Sequence, residues 1–295
     1  MAPVPAPARP RLRPWLRLRP RTAAGPPARW PERLSLAAFG LVVAMVVIGP
    51  YVAPHSPDSL VGVPFTGPGR GALLGTDALG RDVLSRVLDG GRSLVVVAVA
   101  ATAAAYLVGA SAGLLAGYTR SLIDPVIMRL VDVVIAFPPI LLLLVLASGA
   151  GHSLVGLTLG IAVVQFPGVA RIARSASLQA SVRGYVEAAT ARGEPTTHIL
   201  FREILPNVRT TLVADAGTRL TISVLLVAAL SFLGFGERPP APDWASMISQ
   251  NQSGLALNPW AALAPALVIA VLTVSLNVLA DGIVRRRGAG PAAAR

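Results

Sequence analysis

An all-α, polytopic membrane bundle of about six helices is the fold class this sequence predicts, and three observations carry the prediction. Hydrophobic residues make up 54% of the chain and charged residues 14%, whereas a soluble domain usually carries about 25% charge. The apolar residues fall in long runs, each able to cross about 30 Å of hydrocarbon at 1.5 Å per residue. The basic residues are distributed unevenly between alternate connecting segments. Helix is the state such runs require, because lipid offers no partner to an unpaired strand edge.

Residues 1–35 form an opening arm of Pro, Ala and Arg. Pro breaks regular structure and few large apolar groups are present to bury, so disorder is expected. Its arginines hold the first helix on the inner side, and the apolar run that follows is too long for a secretory signal. Residues 36–93 supply the first span, Leu36 to Val52, and an outer segment. Residues 94–284 supply the core, with spans Leu94 to Tyr118, Val126 to Leu146, Leu154 to Ala173, Leu212 to Phe235 and Trp260 to Val284. Pro138-Pro139 and Pro167 interrupt the third and fourth spans and predict bends. The glycines of Gly113 to Tyr118 lie inside a span and are expected to serve packing. Residues 285–295 form a short tail.

Arginine position sets the orientation. With the amino terminus inside, the outer segments hold Arg70, Arg81, Arg86, Arg92 and Arg238, five of the 26 basic residues, beside six of the 14 acidic ones. The excess of basic residues on the other side places both termini in the cytoplasm. The net charge of +12 therefore follows membrane topology, and nucleic acid is not expected as a partner. Trp244 and Trp260 are expected to mark the bilayer interface.

Enzyme chemistry is not expected. Cysteine is absent and the three histidines, His55, His152 and His198, are far apart, so neither a thiolate site nor a His-rich metal site is predicted. No G-x-x-x-x-G-K-[ST] loop is present, so no ATP hydrolysis by this chain and no cofactor is expected. No Ser-His-Asp or H-E-x-x-H pattern appears.

One polar stretch separates the fourth and fifth spans, Tyr185 to Asn207, YVEAATARGEPTTHILFREILPN. It reads as two short helices broken at Gly193-Glu194-Pro195, with Gly ending one and Pro195 suiting the first turn of the next. Ala188 and Ala189 leave a low-relief face that another surface can approach closely. Pro206 closes the unit before the next apolar run, and orientation places the unit in the cytoplasm.

Glu187-Ala188-Ala189, three residues, Gly193, and then Ile204-Leu205-Pro206-Asn207 resemble the cytoplasmic coupling loop of permease subunits in binding-protein-dependent ATP-binding-cassette importers. The closing Ile-Leu-Pro-Asn resembles the peptide and nickel branch. Glu203 departs from the general motif, which has an aliphatic residue there. Leu73 to Leu94, Ser231 to Gly236 and Pro239 to Trp244 resemble the smaller permease of dipeptide and oligopeptide importers and extend the likeness over most of Leu73 to Val284. The resemblance implies the type I importer permease fold, placement in a bacterial plasma membrane, and half of a translocation pathway for peptides or related solutes. It implies four partner chains: a second homologous permease, two cytoplasmic ATP-binding subunits and an extracytoplasmic binding protein. It also implies an ATPase-coupling role for Glu187, Ala188, Ala189, Gly193, Ile204, Leu205 and Pro206. Many relatives carry a Glu shortly before SFLG, where this chain has Val227-Ala228-Ala229, so no cargo preference transfers. Two other classes fit the composition. A secondary transporter would show binding residues on broken midplane helices, and the polar inventory is thin for that; a membrane scaffold leaves the cytoplasmic unit without a role.

Ionisable residues inside spans need partners, since each costs a few kcal/mol at the bilayer centre. Asp215 and Arg219 stand four apart, as a structural ion pair near the inner leaflet or a pathway contact. Asp132 and Asp281 are expected to pair with Arg129 and Arg285 at the inner boundary. Gln165 and Asn277 are expected to join helices by hydrogen bonds or to line a path. In the outer segment, Asp82 and Arg86 are expected to form an i,i+4 pair.

Overall fold

The computed structural model describes residues 30–119, 121–151 and 153–288, and within these the chain is mainly helical, with a long irregular segment at 53–82. The opening arm up to residue 29 and the tail from residue 289 lie outside the described residues. The helices are α1 (Trp30–Val52), α2 (Val83–Asp89), α3 (Arg92–Thr119), α4 (Ile123–Ile135), α5 (Pro139–Ala150), α6 (Leu154–Ser181), α7 (Gly184–Ala191), α8 (Thr196–His198), α9 (Leu205–Phe232), α10 (Trp244–Asn251) and α11 (Trp260–Gly288). Helix α1 thus starts at Trp30, inside the stretch expected to be disordered. Five helices are long and apolar enough to cross a membrane, or six if α4 and α5 form one broken crossing.

Helices α3 and α6 form the spine. A Cβ on Gly109 would meet Phe166 and Val169, on Gly113 Ala170 and Ala173, and on Gly117 Arg174 and Ser177. Both sets of numbers rise together, so the two helices run parallel. The small residues let the backbones approach closely enough for packing and interhelical hydrogen bonds to hold them, and the Ser177 hydroxyl donates to the Leu114 carbonyl at 2.9 Å. Parallel packing requires the segment between them to return the chain to the opposite end. The α4–α5 pair therefore serves as the sixth crossing.

That crossing is broken more sharply than a kink. The two helices meet at 88°, because Pro139 disfavours helical geometry at the residue before it and holds Pro138 at ψ 129°. Two ion pairs fix the tilt of α4: Arg174 with Asp124 at 2.6 Å and Arg171 with Asp132 at 2.7 Å. The two aspartates are separated by about 12 Å along α4 and the two arginines by about 4.5 Å along α6, so α4 crosses α6 rather than lying beside it. The expected partner of Asp132 was Arg129; Arg171 takes that place because α4 is turned across the bundle. Helix α6, by contrast, continues unbroken through Pro167.

At the end of the bundle where α3 begins, residues 53–91 and 236–259 knit into a cap. The buried Trp244 donates its indole N–H to Val87 at 2.7 Å, and Asn258 donates to the Leu74 and Thr76 carbonyls at 3.0 Å. Two expectations are corrected here. Trp244 is a core residue of the cap rather than an interfacial marker. Asp82 does not pair with Arg86: it caps α2, accepting from the Ser85 amide at 3.2 Å. Arg86, fully buried, instead reaches the Pro57 carbonyl at 2.9 Å and lies 3.5 Å from the Asp77 carboxylate. Arg86 also donates to the Pro240 carbonyl at 3.3 Å, so residues 236–259 help to enclose it.

Candidate functional site

At the opposite end, α6 finishes at Ser181 and the chain turns into α7. Gly193 sits at φ 76°, a backbone region that glycine enters without a Cβ clash. Its amide donates to the Thr190 carbonyl at 2.9 Å, and the Glu194 amide to the Ala189 carbonyl at 3.2 Å. Those two bonds form a Schellman cap, which stops α7 and satisfies carbonyls that would otherwise be orphaned. Pro195, at φ −66°, precedes α8. Glu194 braces the corner, with Arg192 at 2.7 Å and His198 at 3.4 Å.

The second arm is not a separate helix. From Thr196 the chain runs helically to Phe232 without a break, passing through a wide π-type turn at Ile199–Ile204. Pro206 has no N–H to donate four residues back, so the chain widens its pitch there and the Leu205 amide bonds to the Leu200 carbonyl instead of breaking the helix. The expectation that Pro206 closes the unit is therefore corrected: it sits in the first turn of α9.

Burial separates the predicted site residues into two groups. Ala189 and Ile204 are fully buried and pack with Val186, Ile199 and Leu200 against Leu114, Ala173 and Ala176 of the spine; Leu205 is half-buried beside them. Ala189 is thus not an approach surface. Glu187, Ala188, Gly193 and Pro206 are exposed. So is Phe201, at 65%, a residue that the sequence analysis did not single out. An open groove of about 820 Å³ runs along Glu187, Thr190 and Ala191 between α7 and the end of α3. The arrangement is a rigid corner: its inner face is cemented to the spine, and its outer face of small, charged and aromatic side chains is free.

The other predicted polar residues split likewise. Arg219 donates through Nε to Asp215 at 3.3 Å, and the Asp215 carboxylate also accepts from the Tyr106 hydroxyl of α3 at 2.5 Å. Gln165 of α6 donates to the Arg219 carbonyl at 2.8 Å and to the Ser223 hydroxyl at 3.0 Å, both on α9. Asn277 is exposed and makes no hydrogen bond among the described residues, so it joins none within them. Asp281 is exposed on α11; its expected pairing with Arg285 lies outside the described side chains. Among the described residues no group of His, Cys, Asp and Glu is placed to hold a metal ion.

Comparison with known proteins gives a consistent set of matches. Residues 109–288 match the family described as binding-protein-dependent transport system inner membrane component. The chain is 33% identical over 245 residues to the glutathione transport system permease protein GsiD of Pectobacterium atrosepticum, covering 82% of this chain and 81% of that one. It is 34% identical over 253 residues to the dipeptide transport system permease protein DppC of Haemophilus influenzae, covering 83% and 86%. Among solved structures, a chain of the inward-facing MetNI methionine ABC transporter superposes with a TM-score of 0.56 at 20% identity, covering 69% of this chain and 95% of that one. A chain of an amino acid ABC transporter superposes at 0.51, also at 20% identity, covering 65% and 90%.

Proposed function

The chain belongs to the family of inner membrane components of binding-protein-dependent transport systems, and on that premise we propose that it forms half of the pathway of an ATP-driven importer of peptides or related small solutes. A second, homologous permease supplies the other half. Each permease seats one cytoplasmic ATP-binding subunit, and an extracytoplasmic binding protein delivers cargo to the cap. Both termini and the Tyr185–Asn207 corner lie in the cytoplasm on this reading, as the arginine distribution requires. The relatives transport glutathione and dipeptides by their names, and cargo of that class is the reading extended to this chain.

The observation that supports ATPase coupling is the division of the corner into a buried and an exposed face. Force applied to Glu187, Ala188 and Phe201 passes into Ala189, Ile199 and Ile204, which are packed on α3 and α6. Since α9 continues from the corner without interruption, displacement of the corner moves a transmembrane helix directly. Closure of two ATP-binding subunits then switches the bundle between two packed states as rigid bodies. Purification from native membranes tests this: one second permease and two ATP-binding subunits are expected per copy of this chain, and proteoliposomes of the complex should take up peptide only with ATP and the binding protein. Isolation of the chain alone, or uptake without nucleotide, would refute it.

A further inference from the structure

Resting on that reading, we infer that the face shared by α6 and α9 is the hydrated inner half of the pathway, and that Arg219 at its head binds a carboxylate of the cargo. Helix α6 descends toward the corner as α9 ascends from it, so residues facing one another across the groove form an antiparallel series. Near the corner, Gln179 faces Asn207 and Thr211 in a cavity of about 290 Å³. Farther up, Ser175 on α6 and Thr218 on α9 are exposed. Five exposed polar side chains along these two facing helices fit water and not acyl chains.

The line leads to Arg219, roughly 20 Å from its mouth, measured as thirteen or so helical residues. The guanidinium is held between α9 and α6. Nε is engaged by Asp215 and Nη1 approaches Gln165 Oε1 at 3.4 Å, while Nη2 makes no hydrogen bond among the described residues. A Cβ on Gly168 would collide with both Nη atoms, so the guanidinium lies close against α6 at this position. The side chain remains 20% exposed. A charged edge open to lipid at this depth would be prohibitively costly, so the open edge faces the hydrated groove. The Tyr106 hydroxyl and Arg219 Nε both bind Asp215, which positions the guanidinium and leaves Nη2 and the second N–H of Nη1 to form a fork for a ligand. Such a fork matches the two oxygens of a carboxylate in one plane.

The chain has no native cysteine, so Thr218→Cys introduces the sole thiol of this subunit. In inside-out vesicles holding the complete complex without nucleotide, a membrane-impermeant trimethylammonium methanethiosulfonate should label this thiol. Alanyl-alanine at about 10 mM, well above a millimolar Kd, should slow labelling about tenfold, while its C-terminal amide should not. Protection should vanish when Arg219→Gln is added, with labelling itself retained, and Arg219→Lys should restore it in part. An unreactive thiol in the Thr218→Cys complex overturns the hydrated face. Equal protection by acid and amide, protection by neither, or protection that survives Arg219→Gln overturns the carboxylate site. None of these outcomes depends on ATP-driven transport, whose absence from proteoliposomes of the wild-type complex would instead refute the importer reading.

Discussion

The amide of Glu194 donates to the carbonyl of Ala189 at 3.2 Å, and this six-residue closure sets the angle at which the corner leaves the bundle. It requires Gly193 at φ 76°, with open space where a Cβ would stand. Gly193→Ala should therefore cost about 1 kcal/mol from backbone strain alone. Gly193→Pro cannot reach positive φ and loses the amide bonded to Thr190, so the corner must rebuild. The expected outcome is a protein that reaches the membrane at normal levels but whose ATPase activity no longer rises with loaded binding protein. Wild-type stimulation in Gly193→Pro would count against the corner as the coupling element.

Adjacent alanines should behave in opposite ways. Ala189 is 0% exposed in the cluster beneath the corner, and Ala189→Leu would force extra volume into it at a cost of about 1–3 kcal/mol, lowering the melting temperature in detergent. Ala188 is exposed, so Ala188→Leu should leave melting unchanged and weaken co-purification of the ATP-binding subunit. The paired measurement, melting and subunit retention, separates a packing role from a docking role at neighbouring positions.

Spine packing can be tested where the approach is tightest. A Cβ at Gly113 would overlap the Ala170 carbonyl oxygen, a backbone atom that cannot rotate away, whereas nothing lies within 4 Å at Gly40. Gly113→Ala should lower stability by about 1–3 kcal/mol; Gly40→Ala, on α1, should not. Comparable melting of the two variants would contradict the close α3–α6 contact.

How much of this was legible in the sequence depended on whether the signal was local. Apolar runs and Gly193 are local, so the crossings and the break in the corner could be read directly. The placement of Ala189 inside and Ala188 outside depends on which helix face meets the spine, and Tyr185 to Asn207 carries too few periodic residues to reveal it. Pro206 read as a terminator because the widened turn that absorbs it has no residue signature. Asp82 and Arg86 satisfy an i,i+4 spacing, yet Asp82 turns to the Ser85 amide and Arg86 to the Pro57 and Pro240 carbonyls, the last 154 positions away. Arg171, the partner of Asp132, was hidden for a similar reason: only the right-angle break at Pro138-Pro139 brings α4 across α6.

Asp243 predicts a pH dependence. It caps α10, accepting from the Ser246 amide at 2.8 Å, yet burial raises its carboxyl above the ordinary carboxylate range, with Glu237 adding repulsion. A carboxyl that holds its proton more tightly when folded destabilises the protein as pH rises from about 4 through its raised value, because the folded state binds more protons across that window. Asp243→Asn keeps an oxygen cap and cannot ionise. Its melting temperature relative to wild type should therefore increase as the pH rises above about 4 and level off once the folded carboxyl has ionised; a difference that does not change with pH would contradict the burial argument.

Trp244 is the last test, because it decides whether the cap is one body. Its ring is fully enclosed, its N–H is bonded to the Val87 carbonyl of α2, and a Cβ on Gly91 would run into the ring. Trp244→Phe retains most of the apolar contact but orphans a buried carbonyl, which costs about 1–3 kcal/mol. Trp244→Ala removes the filling as well and should cost about 3–5 kcal/mol. If the cap is a single body resting on the ends of α3, α9 and α11, the loss should spread. Hydrogen exchange should then quicken at the Ala78 amide, which is bonded to Asn251 at 2.8 Å, as well as in α10. Faster exchange confined to α10, with Ala78 unchanged, would show that residues 53–82 and 236–259 fold independently and that cargo delivery meets two separate surfaces.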